Sequence, residues 1–465
     1  RRHRVTFVPK RGRLIGPGDA GIRTLITREV PVSRELQQIA TERARRWLSE
    51  HFDAETREAV DDLLDLSAPT ELINCFGAEL EFGTAGLRGI LGAGTTRMNI
   101  YTVARAAFGV ARALVDHHPE EANRGIVVGY DCRHMSPEFA AITARAITAQ
   151  GLTCYLFDTL VGTPLVPYTV RRLKAGAGIM VTSSHNPKEY NGFKVYTHTG
   201  VQIVSPMDSE IAEAMSLVQY GEVPLTSLES ASKQGLLVNL GEDARSSYID
   251  WAAKTASVRG ETDVKIAYSP LGGTGYPFVS KVLKKSGFTD VHVVESERDP
   301  DPEFAGLKGP NPERPDSWAR TLQLAKEIDA DIALATDGDA DRIGAAVKTG
   351  VGEYQLLTGN QIGTGMLYYL LLSRQDAGTL TGNELAICSV VSSPLTKKVA
   401  EGFGGHFQET LTGFKWMGSA AEELSEKGLE FLFAFEEAFG VTFGESRDKD
   451  GVTAVALLAE MQAWA

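Results

Sequence analysis

The sequence predicts a series of α/β domains with mixed sheets, and three observations support this fold class. With 465 residues the chain is too long for a single hydrophobic core, which favours about three domains of ordinary size. Segments with helical and strand periodicity alternate along most of its length. Three successive units of this alternation each place a polar loop after a strand, where α/β proteins commonly hold ligands.

The first unit is expected over 31–245 and carries the serine loop described below. It begins with a helical pattern at 33–65, and a glycine-rich loop with one arginine follows at 82–89. Helices are then expected near 100–116 and 136–150, and strands at 125–130, 152–157, 178–182 and 192–196. Residues 1–30 are basic, lack an apolar run and are expected to form a disordered extension.

The second and third units repeat this alternation over 246–354 and 355–465. In the second unit we expect a helix at 277–286 and strands at 264–268, 291–294, 332–335 and 343–347. In the third unit we expect strands at 385–391 and 430–435 and helices at 360–373, 394–402, 416–427 and 451–464.

Composition restricts the class of partner. The formal net charge is −13, so the surface is a poor match for nucleic acid or an anionic membrane, although a few converging basic residues can still bind a phosphorylated small molecule. The longest apolar run, 366–372, is too short to span a bilayer. The four cysteines are far apart in the sequence, which suits a reducing compartment such as the cytoplasm.

Ser184 and His185 lie in a turn-rich Ser-Ser-His-Asn-Pro segment between two predicted strands. A loop between strands is a common place for a reactive side chain at the rim of a sheet. The segment has no Gly-x-Ser-x-Gly elbow, which disfavours an α/β-hydrolase nucleophile. Taken alone, the segment is also compatible with an ordinary turn, and 188–194 with a plain hairpin.

A second polar loop places Asp337, Asp339 and Asp341 at alternate positions. These carboxylates can converge on one cation, which would relieve their mutual repulsion. An EF-hand would need glycine and glutamate where Arg342 and Lys348 stand, so a calcium loop of that type is excluded. A nucleophilic aspartate of the haloacid-dehalogenase type would leave the serine loop unexplained, and the loop is also compatible with a solvated acidic turn.

Together the two loops resemble those of the α-D-phosphohexomutase superfamily, and within it phosphoglucomutase and the phosphopentomutase-like branch. The resemblance extends from about Phe82 to the end of the chain. Further support comes from Gly-Tyr-Asp-Cys-Arg-His-Met-Ser at 129–136, Thr-Gly-Phe-Lys-Trp at 412–416, Phe-Glu-Glu-Ala-Phe-Gly at 435–440 and Arg-Asp-Lys-Asp-Gly at 447–451. Several motifs in one order are far more specific than either loop alone.

The resemblance implies a role for each matching position. Ser184 matches a phosphoserine that donates phosphate to a sugar phosphate and later takes one back. With Asp337, Asp339 and Asp341 it also matches the ligands of a Mg²⁺ ion. A phosphoserine carries a charge of about −1.5 to −2, which Mg²⁺, Arg342 and Lys194 would offset.

The remaining matches concern catalysis and the sugar. The catalytic matches are Arg88, Lys194 and His185, and a purely bracing role is the alternative for His185. The substrate-binding matches are Arg342, Lys449, Glu436, which would hold sugar hydroxyls, and a specificity loop formed by Gly413, Phe414, Lys415 and Trp416. For Lys449 a solvent-facing position is the alternative.

The sequence departs from the family pattern at two places. Ala438 stands where many relatives have a serine, which removes one partner for a sugar hydroxyl. The family also has a fourth domain that binds the non-reacting phosphate. Because the sequence ends at Ala465, within what resembles the closing helix of the third domain, this phosphate clamp is expected to be missing.

The resulting hypothesis is a Mg²⁺-dependent phosphoglucomutase that interconverts α-D-glucose 1-phosphate and glucose 6-phosphate through glucose 1,6-bisphosphate. Its partner would be a phosphorylated sugar, with no nucleic acid and no membrane involved. A phosphomannomutase or phosphopentomutase with the same mechanism is the first competing hypothesis. The sequence is also compatible with a sugar-phosphate phosphatase and with a non-catalytic sensor of sugar phosphates.

Overall fold

A computed structural model describes residues 33–66, 69–81 and 86–465. Along this part of the chain three sheets follow one another, with six, five and four strands, and helices cover each of them. The predicted succession of α/β domains with mixed sheets is thereby confirmed. The extension expected over 1–30 and residues 82–85 of the glycine-rich loop lie outside the described residues.

Before the first sheet lie three helices, α1 (Arg34–Arg46), α2 (Ala54–Asp65) and α3 (Thr70–Phe76). The prediction of one continuous helix over 33–65 is therefore wrong. The side chain of Asp53 accepts a hydrogen bond of 2.8 Å from a backbone N–H in the first turn of α2 and so starts a new helix. Between α1 and α2, the rings of Trp47 and Phe52 stack at 4.6 Å, and this buried aromatic pair stabilises the turn.

The first sheet consists of strands β1 (Leu87–Ile90), β2 (Ile126–Tyr130), β3 (Cys154–Phe157), β4 (Ala177–Val181), β5 (Tyr190–Thr197) and β6 (Leu237–Leu240). Their order is β1-β5-β4-β2-β3-β6, and β5 runs antiparallel to both of its neighbours in an otherwise parallel sheet. Its helices are α4 (Ile100–His117), α5 (Pro119–Ala122), α6 (Ser136–Ala149), α7 (Leu165–Leu173), α8 (Met207–Ser216) and α9 (Leu228–Lys233). The β4–β5 connection holds the Ser184 loop at one edge of this sheet.

The second sheet consists of β7 (Ile266–Ser269), β8 (Val291–Val293), β9 (Ile332–Thr336), β10 (Ile343–Gly350) and β11 (Glu353–Leu356), in the order β11-β10-β9-β7-β8. Its helices are α10 (Glu242–Ala256), α11 (Tyr276–Lys285) and α12 (Ala319–Ile328). Strands β9 and β10 pair in antiparallel fashion, so the aspartate loop between them is a tight connection at the end of a fully buried strand.

The third sheet consists of β12 (Glu384–Ser389), β13 (His406–Thr410), β14 (Glu430–Glu436) and β15 (Gly440–Phe443), in the order β13-β12-β14-β15. Its helices are α13 (Gly359–Asp376), α14 (Leu395–Gly402), α15 (Phe414–Glu426) and α16 (Gly451–Trp464). The antiparallel turn from β14 to β15 carries the Glu436 motif, and α15 begins at the expected specificity loop.

One apolar core connects the three sheets. It includes Val127 of the first sheet, Leu334 of the second and Phe435 of the third, together with most of α16. Helix α16 is buried along most of its length and lies against α10, α11, α13 and strands of the second sheet. No helix within the described ranges is both long and apolar enough to cross a membrane.

Backbone hydrogen bonds join the three domains next to the aspartate loop. The N–H of Thr163, in the loop after β3, donates to the carbonyl of Asp339 at 2.8 Å. From the third domain, the N–H of Gly451 at the start of α16 donates to the carbonyl of Ala340 at 3.1 Å. These bonds fix the aspartate loop relative to both neighbouring domains.

Candidate active site

The Ser184 loop holds its serine in a buried and unusual conformation. Ser184 is 1% exposed and has a φ of 53°, in the left-handed region that residues with a side chain rarely adopt. Its backbone N–H donates to the hydroxyl of Thr182 at 2.9 Å. The hydroxyl of Ser184 in turn donates to a carboxylate oxygen of Asp337 at 2.7 Å and lies 3.5 Å from one of Asp341. The structure thus brings together the two loops that stand about 150 residues apart in the sequence.

Asp337, Asp339 and Asp341 form a compact buried cluster. Each is at most 1% exposed, and one ligand oxygen from each lies within 4.8 Å of those of the other two. Between Asp339 and Asp341, Ala340 has a φ of 58°, so the loop makes a left-handed turn within the cluster. Clusters of carboxylate oxygens at such spacing suit a hard divalent cation.

One oxygen of each carboxylate is held by the protein. Asp337 Oδ1 accepts two backbone N–H groups of its own loop at 3.0 Å. Asp339 Oδ2 accepts from the hydroxyl of Thr163 at 2.6 Å and from Lys194 Nζ at 2.8 Å, while Asp341 Oδ2 accepts from the same Nζ at 2.8 Å.

The opposite oxygens remain for another ligand. Asp337 Oδ2 and Asp341 Oδ1 face Ser184 Oγ, and Asp339 Oδ1 is buried without any hydrogen-bond partner among the described residues. A buried carboxylate oxygen without a partner is costly unless a cation or water meets it. The donor set, three carboxylate oxygens and one serine oxygen, therefore fits a cation that prefers oxygen ligands, such as Mg²⁺.

The cluster is electrostatically uneven. Burial and the neighbouring carboxylates Asp341 and Asp339 raise the pKa of Asp337 well above its usual range. Burial also disfavours the charged form of Asp341, but the nearby cations, Lys194 first among them, outweigh this effect and lower the pKa of Asp341. Without a further positive charge, Asp337 is the carboxylate of the cluster that retains a proton most readily.

Lys194, on β5, lies between two of the aspartates and is 1% exposed. Its ammonium donates to Asp339, to Asp341 and, at 3.3 Å, to the hydroxyl of Thr163. Burial lowers the pKa of Lys194, yet the two carboxylates more than offset this and leave the pKa raised. An ammonium has three N–H donors, and all three are used here on protein oxygens.

Two arginines flank the cluster. Arg342 pairs with Glu313, and its buried Nε, 4.0 Å from Asp341 Oδ1, has no hydrogen-bond partner in the part of the chain that the structure describes. Arg88, on β1, also buries its Nε without a partner among the described residues. Burial lowers the pKa of Arg88, although Asp339 and Asp341 oppose this shift. Buried guanidinium N–H groups without partners are suited to an anion.

His185 lies directly beside the serine. Its Nδ1 is 3.3 Å from Ser184 Oγ. Burial, followed by the charges of Arg342 and Arg88, lowers the pKa of His185 to about 3. The imidazole is therefore neutral at pH 7 and can accept or donate one hydrogen bond at that serine oxygen.

Glu436, at the end of β14 in the third domain, lies near Lys449 and Arg342. One of its oxygens accepts the backbone N–H of Gly413 at 2.5 Å, which links it to the start of α15. Burial raises the pKa of Glu436, although Lys449 opposes this shift. The Lys449 side chain is only 13% exposed, and its Nζ lies 3.4 Å from carboxylate oxygens of both Asp341 and Asp448. Lys449 therefore faces the cluster and not the solvent.

The residues of the expected specificity loop lie in different surroundings. Gly413 has a φ of 116° and so permits the sharp entry into α15. Phe414 is 3% exposed and packs in the apolar core of the third domain, beneath the ammonium of Lys449 at 5.0 Å. Lys415 and Trp416 are more accessible, and the Lys415 ammonium lies 5.4 Å from the Trp416 ring centre. Side-chain contacts with a ligand are therefore open to Lys415 and Trp416 but not to Phe414.

Sequence reasoning missed residues that support the cluster. Thr163 and Thr182 both donate to Asp339 Oδ2, the latter at 3.1 Å. Asp448 is fully buried and accepts hydrogen bonds from Tyr196 and Gln202 of the first domain. Thr182 belongs to the serine motif and could have been noticed there, whereas Thr163 carried no local signal.

Comparisons with known proteins agree with this geometry. Family models described as phosphoglucomutase/phosphomannomutase, alpha/beta/alpha domains I, II and III, match residues 79–222, 246–350 and 358–464 in that order. Among solved structures, a phosphoglucomutase/phosphomannomutase family protein from Burkholderia thailandensis is 21% identical. The structural match covers 82% of this chain and 77% of the Burkholderia chain with a TM-score of 0.63, and it shows that the two proteins share a fold.

Curated relatives match over most of the chain. A mouse phosphopentomutase is 39% identical over 433 residues, which is 90% of this chain and 69% of the relative. A human glucose 1,6-bisphosphate synthase is 36% identical, and the match covers 90% of this chain and 70% of the relative. A phosphoglucomutase from Staphylococcus haemolyticus is 36% identical, and the match covers 82% of this chain and 69% of the relative. The chain therefore belongs to the phosphoglucomutase/phosphomannomutase family of the α-D-phosphohexomutase superfamily, a family of isomerase-class phosphosugar mutases.

Proposed function

We propose that this chain is a phosphosugar mutase in which Ser184 carries the phosphoryl group, and that glucose 1-phosphate and glucose 6-phosphate are its substrates. The observation that carries the proposal is the position of Ser184 Oγ, 2.7 Å from Asp337 within a cluster of three buried carboxylates. A serine hydroxyl placed there is suited to phosphoryl transfer, because the reaction depends chiefly on positioning and charge neutralisation.

In the first half-reaction, the phosphoryl group on Ser184 passes to the free hydroxyl of the sugar monophosphate, which gives a sugar bisphosphate. The bisphosphate, glucose 1,6-bisphosphate for glucose substrates, then presents its other phosphate and returns that phosphoryl group to Ser184. A Mg²⁺ ion held by Asp337, Asp339, Asp341 and the Ser184 oxygen would supply neutralising charge at the transferred group. Two cations of the site, Arg342 and Arg88, each have an Nε–H group without a partner within the described ranges, and these groups can bind phosphate oxygens.

The other residues have supporting parts in this proposal. Lys194 orders the carboxylates and leaves no N–H donor for a phosphate, so its contribution is indirect. Neutral His185 provides a hydrogen-bond partner at Ser184 Oγ without adding charge. Lys449 faces the cluster from the third domain, and we assign the binding of sugar hydroxyls to Glu436, which lies near Lys449 and Arg342.

Ribose phosphates are the second candidate substrates. The mouse relative that is 39% identical carries the name phosphopentomutase. Ala438 in the turn beside Glu436 also lacks the hydroxyl group that a serine would offer to a sugar. A comparison of kcat/KM for glucose 1-phosphate, mannose 1-phosphate and ribose 1-phosphate decides between them, and a preference for ribose overturns the glucose assignment.

The phosphoserine proposal is tested by intact-mass analysis followed by a coupled mutase assay. We expect a phosphate adduct that is absent from Ser184→Ala and present in the matched control Ser183→Ala. Ser184→Ala is expected to lose mutase activity, and full activity in this variant refutes the mechanism. Release of inorganic phosphate without isomerised product indicates a phosphatase. Binding of sugar phosphates without any turnover indicates a sensor.

A further inference from the structure

Arg133 lies beneath the Ser184 loop and has no part in the mechanism above. It belongs to the segment that follows β2, and its side chain is completely buried. Its guanidinium donates to four backbone carbonyl oxygens of the loop. Nη2 donates to Ser184 and Asn186, both at 2.6 Å, and Nη1 donates to Pro187 at 2.8 Å and to Tyr190 at 3.1 Å.

Other residues hold this guanidinium in place. Asp131 accepts the backbone N–H of Arg133 at 2.9 Å, and its second oxygen lies 3.4 Å from Arg133 Nε. The hydroxyl of Ser136 donates to Asp131 at 2.7 Å and accepts from the Asn191 amide at 2.9 Å. On the side of the second domain, the ring of Phe304 lies 5.0 Å from the guanidinium carbon. Arg133 is therefore preorganised by the segment after β2, by Asn191 at the start of β5 and by the neighbouring domain.

The loop needs such a support because of its conformation. Ser184 has a φ of 53°, which a serine maintains only where its surroundings hold it. Its carbonyl oxygen points to Arg133 while its hydroxyl points to Asp337, so the guanidinium fixes the orientation of the serine backbone. Only a planar fork can reach four acceptors at once, since a lysine ammonium offers three donors from one nitrogen.

We propose that Arg133 is a positioning residue for phosphoryl transfer, which keeps the Ser184 oxygen in line with the aspartate cluster without touching substrate. The inference rests on the proposed function, because it assigns Arg133 to the geometry of that same serine. A displacement of about 1 Å at a reacting group can reduce turnover by about 100-fold. The orientation of the serine therefore has a direct kinetic consequence.

The test compares Arg133→Lys with Arg105→Lys. Arg105 is a matched control because it also donates to two backbone carbonyl oxygens, of Met215 and Val218, at 2.9 and 3.2 Å. It lies on α4 and makes no hydrogen bond to the Ser184 loop. For Arg133→Lys we expect kcat to fall about 10- to 100-fold while KM for glucose 1-phosphate changes less than about threefold. For Arg105→Lys we expect both constants to stay near the wild-type values.

Hydrogen–deuterium exchange provides a readout that does not depend on activity. We expect faster exchange of the amides at 183–190 in Arg133→Lys and unchanged exchange there in Arg105→Lys. If the wild-type chain shows no mutase activity on any sugar phosphate, the proposed function fails while the exchange comparison still tests the support of the loop. Equal exchange at 183–190 and equal kcat in the two variants overturn the inference.

Ser136→Ala covers the case in which Arg133→Lys does not fold. This variant removes one hydroxyl that holds Asp131 and leaves Arg133 itself in place. We expect kcat to fall about 3- to 10-fold with little change in KM. An unchanged kcat together with unchanged exchange at 183–190 contradicts the positioning role.

Discussion

Replacing Lys194 by methionine would remove the only ammonium that bridges Asp339 and Asp341 within the described residues. Both ion pairs measure 2.8 Å, and all three side chains are at most 1% exposed. Coulomb's law with an effective dielectric constant of about 20 gives about 6 kcal/mol for each pair. The cost of burying the ammonium offsets much of this attraction. Removing one partner of a buried pair typically costs about 3–5 kcal/mol, because an uncompensated buried charge remains.

We therefore expect Lys194→Met to lower the free energy of unfolding by about 3–5 kcal/mol in the presence of EDTA. Mg²⁺ should recover part of this loss, because the cation binds the opposite oxygens of the same carboxylates and neutralises them. A ligand at 100 times its dissociation constant stabilises the folded state by about 2.7 kcal/mol. Mg²⁺ is thus expected to stabilise the variant more than the wild-type chain, in which Lys194 already supplies one positive charge.

Urea unfolding at pH 7 with EDTA and with Mg²⁺ measures both effects. Lys265→Met is a suitable control, because Lys265 is partly buried and its ammonium donates to a backbone carbonyl at 3.1 Å instead of a carboxylate. Its substitution is expected to cost about 1 kcal/mol or less. A loss for Lys194→Met no larger than that of the control, with no greater response to Mg²⁺, would refute the electrostatic argument.

Three further substitutions test other parts of the site and of its support. Glu436→Gln is expected to lower kcat/KM for glucose 1-phosphate at least about tenfold with little loss of stability. The control Glu437→Gln, at the neighbouring position, is expected to leave kcat/KM unchanged, and equal kcat/KM values for the two variants contradict the sugar-binding role. In Gly440→Ala the new methyl group would lie 2.4 Å from the Lys449 side chain, so kcat should fall as Lys449 is displaced, and an unchanged kcat contradicts this. Burial raises the pKa of Asp450 from 3.8 to about 6, so its protonated form stabilises the fold below pH 3.8 and this stabilisation is lost as the pH rises through 6. Urea titrations between about pH 4 and pH 7 measure how the free energy of unfolding changes with pH, and Asp450→Asn should reduce this change by about 3 kcal/mol. If the change with pH is the same in the variant, it arises from other groups.

The fold was largely predictable because local patterns and global structure agree in its central strands. The buried segments before the serine and aspartate loops are short apolar runs, which are typical of buried strands, and they form β4 and β9. The helix prediction over 33–65 failed because helical periodicity continues across a turn that only the cap at Asp53 and the stacking of Trp47 on Phe52 reveal. Helix α7 was not predicted either.

The site was predictable to the extent that its residues are adjacent in the sequence. Asp337, Asp339 and Asp341 form one dense motif, so their convergence follows from alternation along a short loop. The contribution of Thr163 could not be foreseen, because it depends on a contact between residues 176 positions apart. The sequence likewise does not reveal that all three N–H donors of Lys194 bond to protein oxygens, because Thr163, Asp339 and Asp341 are distant from it along the chain.

The placement of the site has a consequence for how its activity depends on domain packing. Ser184 comes from the first domain, the three aspartates from the second, and Glu436 and Lys449 from the third. Lys449 lies two positions before α16, whose first residue, Gly451, donates its backbone N–H to the carbonyl of Ala340 in the aspartate loop. The carboxylate of the adjacent Asp448 accepts a hydrogen bond from Tyr196 of the first domain. Since the same short segment contacts both other domains, a change in their relative orientation would move Lys449 away from Asp341. Turnover should therefore be more sensitive than overall stability to substitutions at these domain junctions.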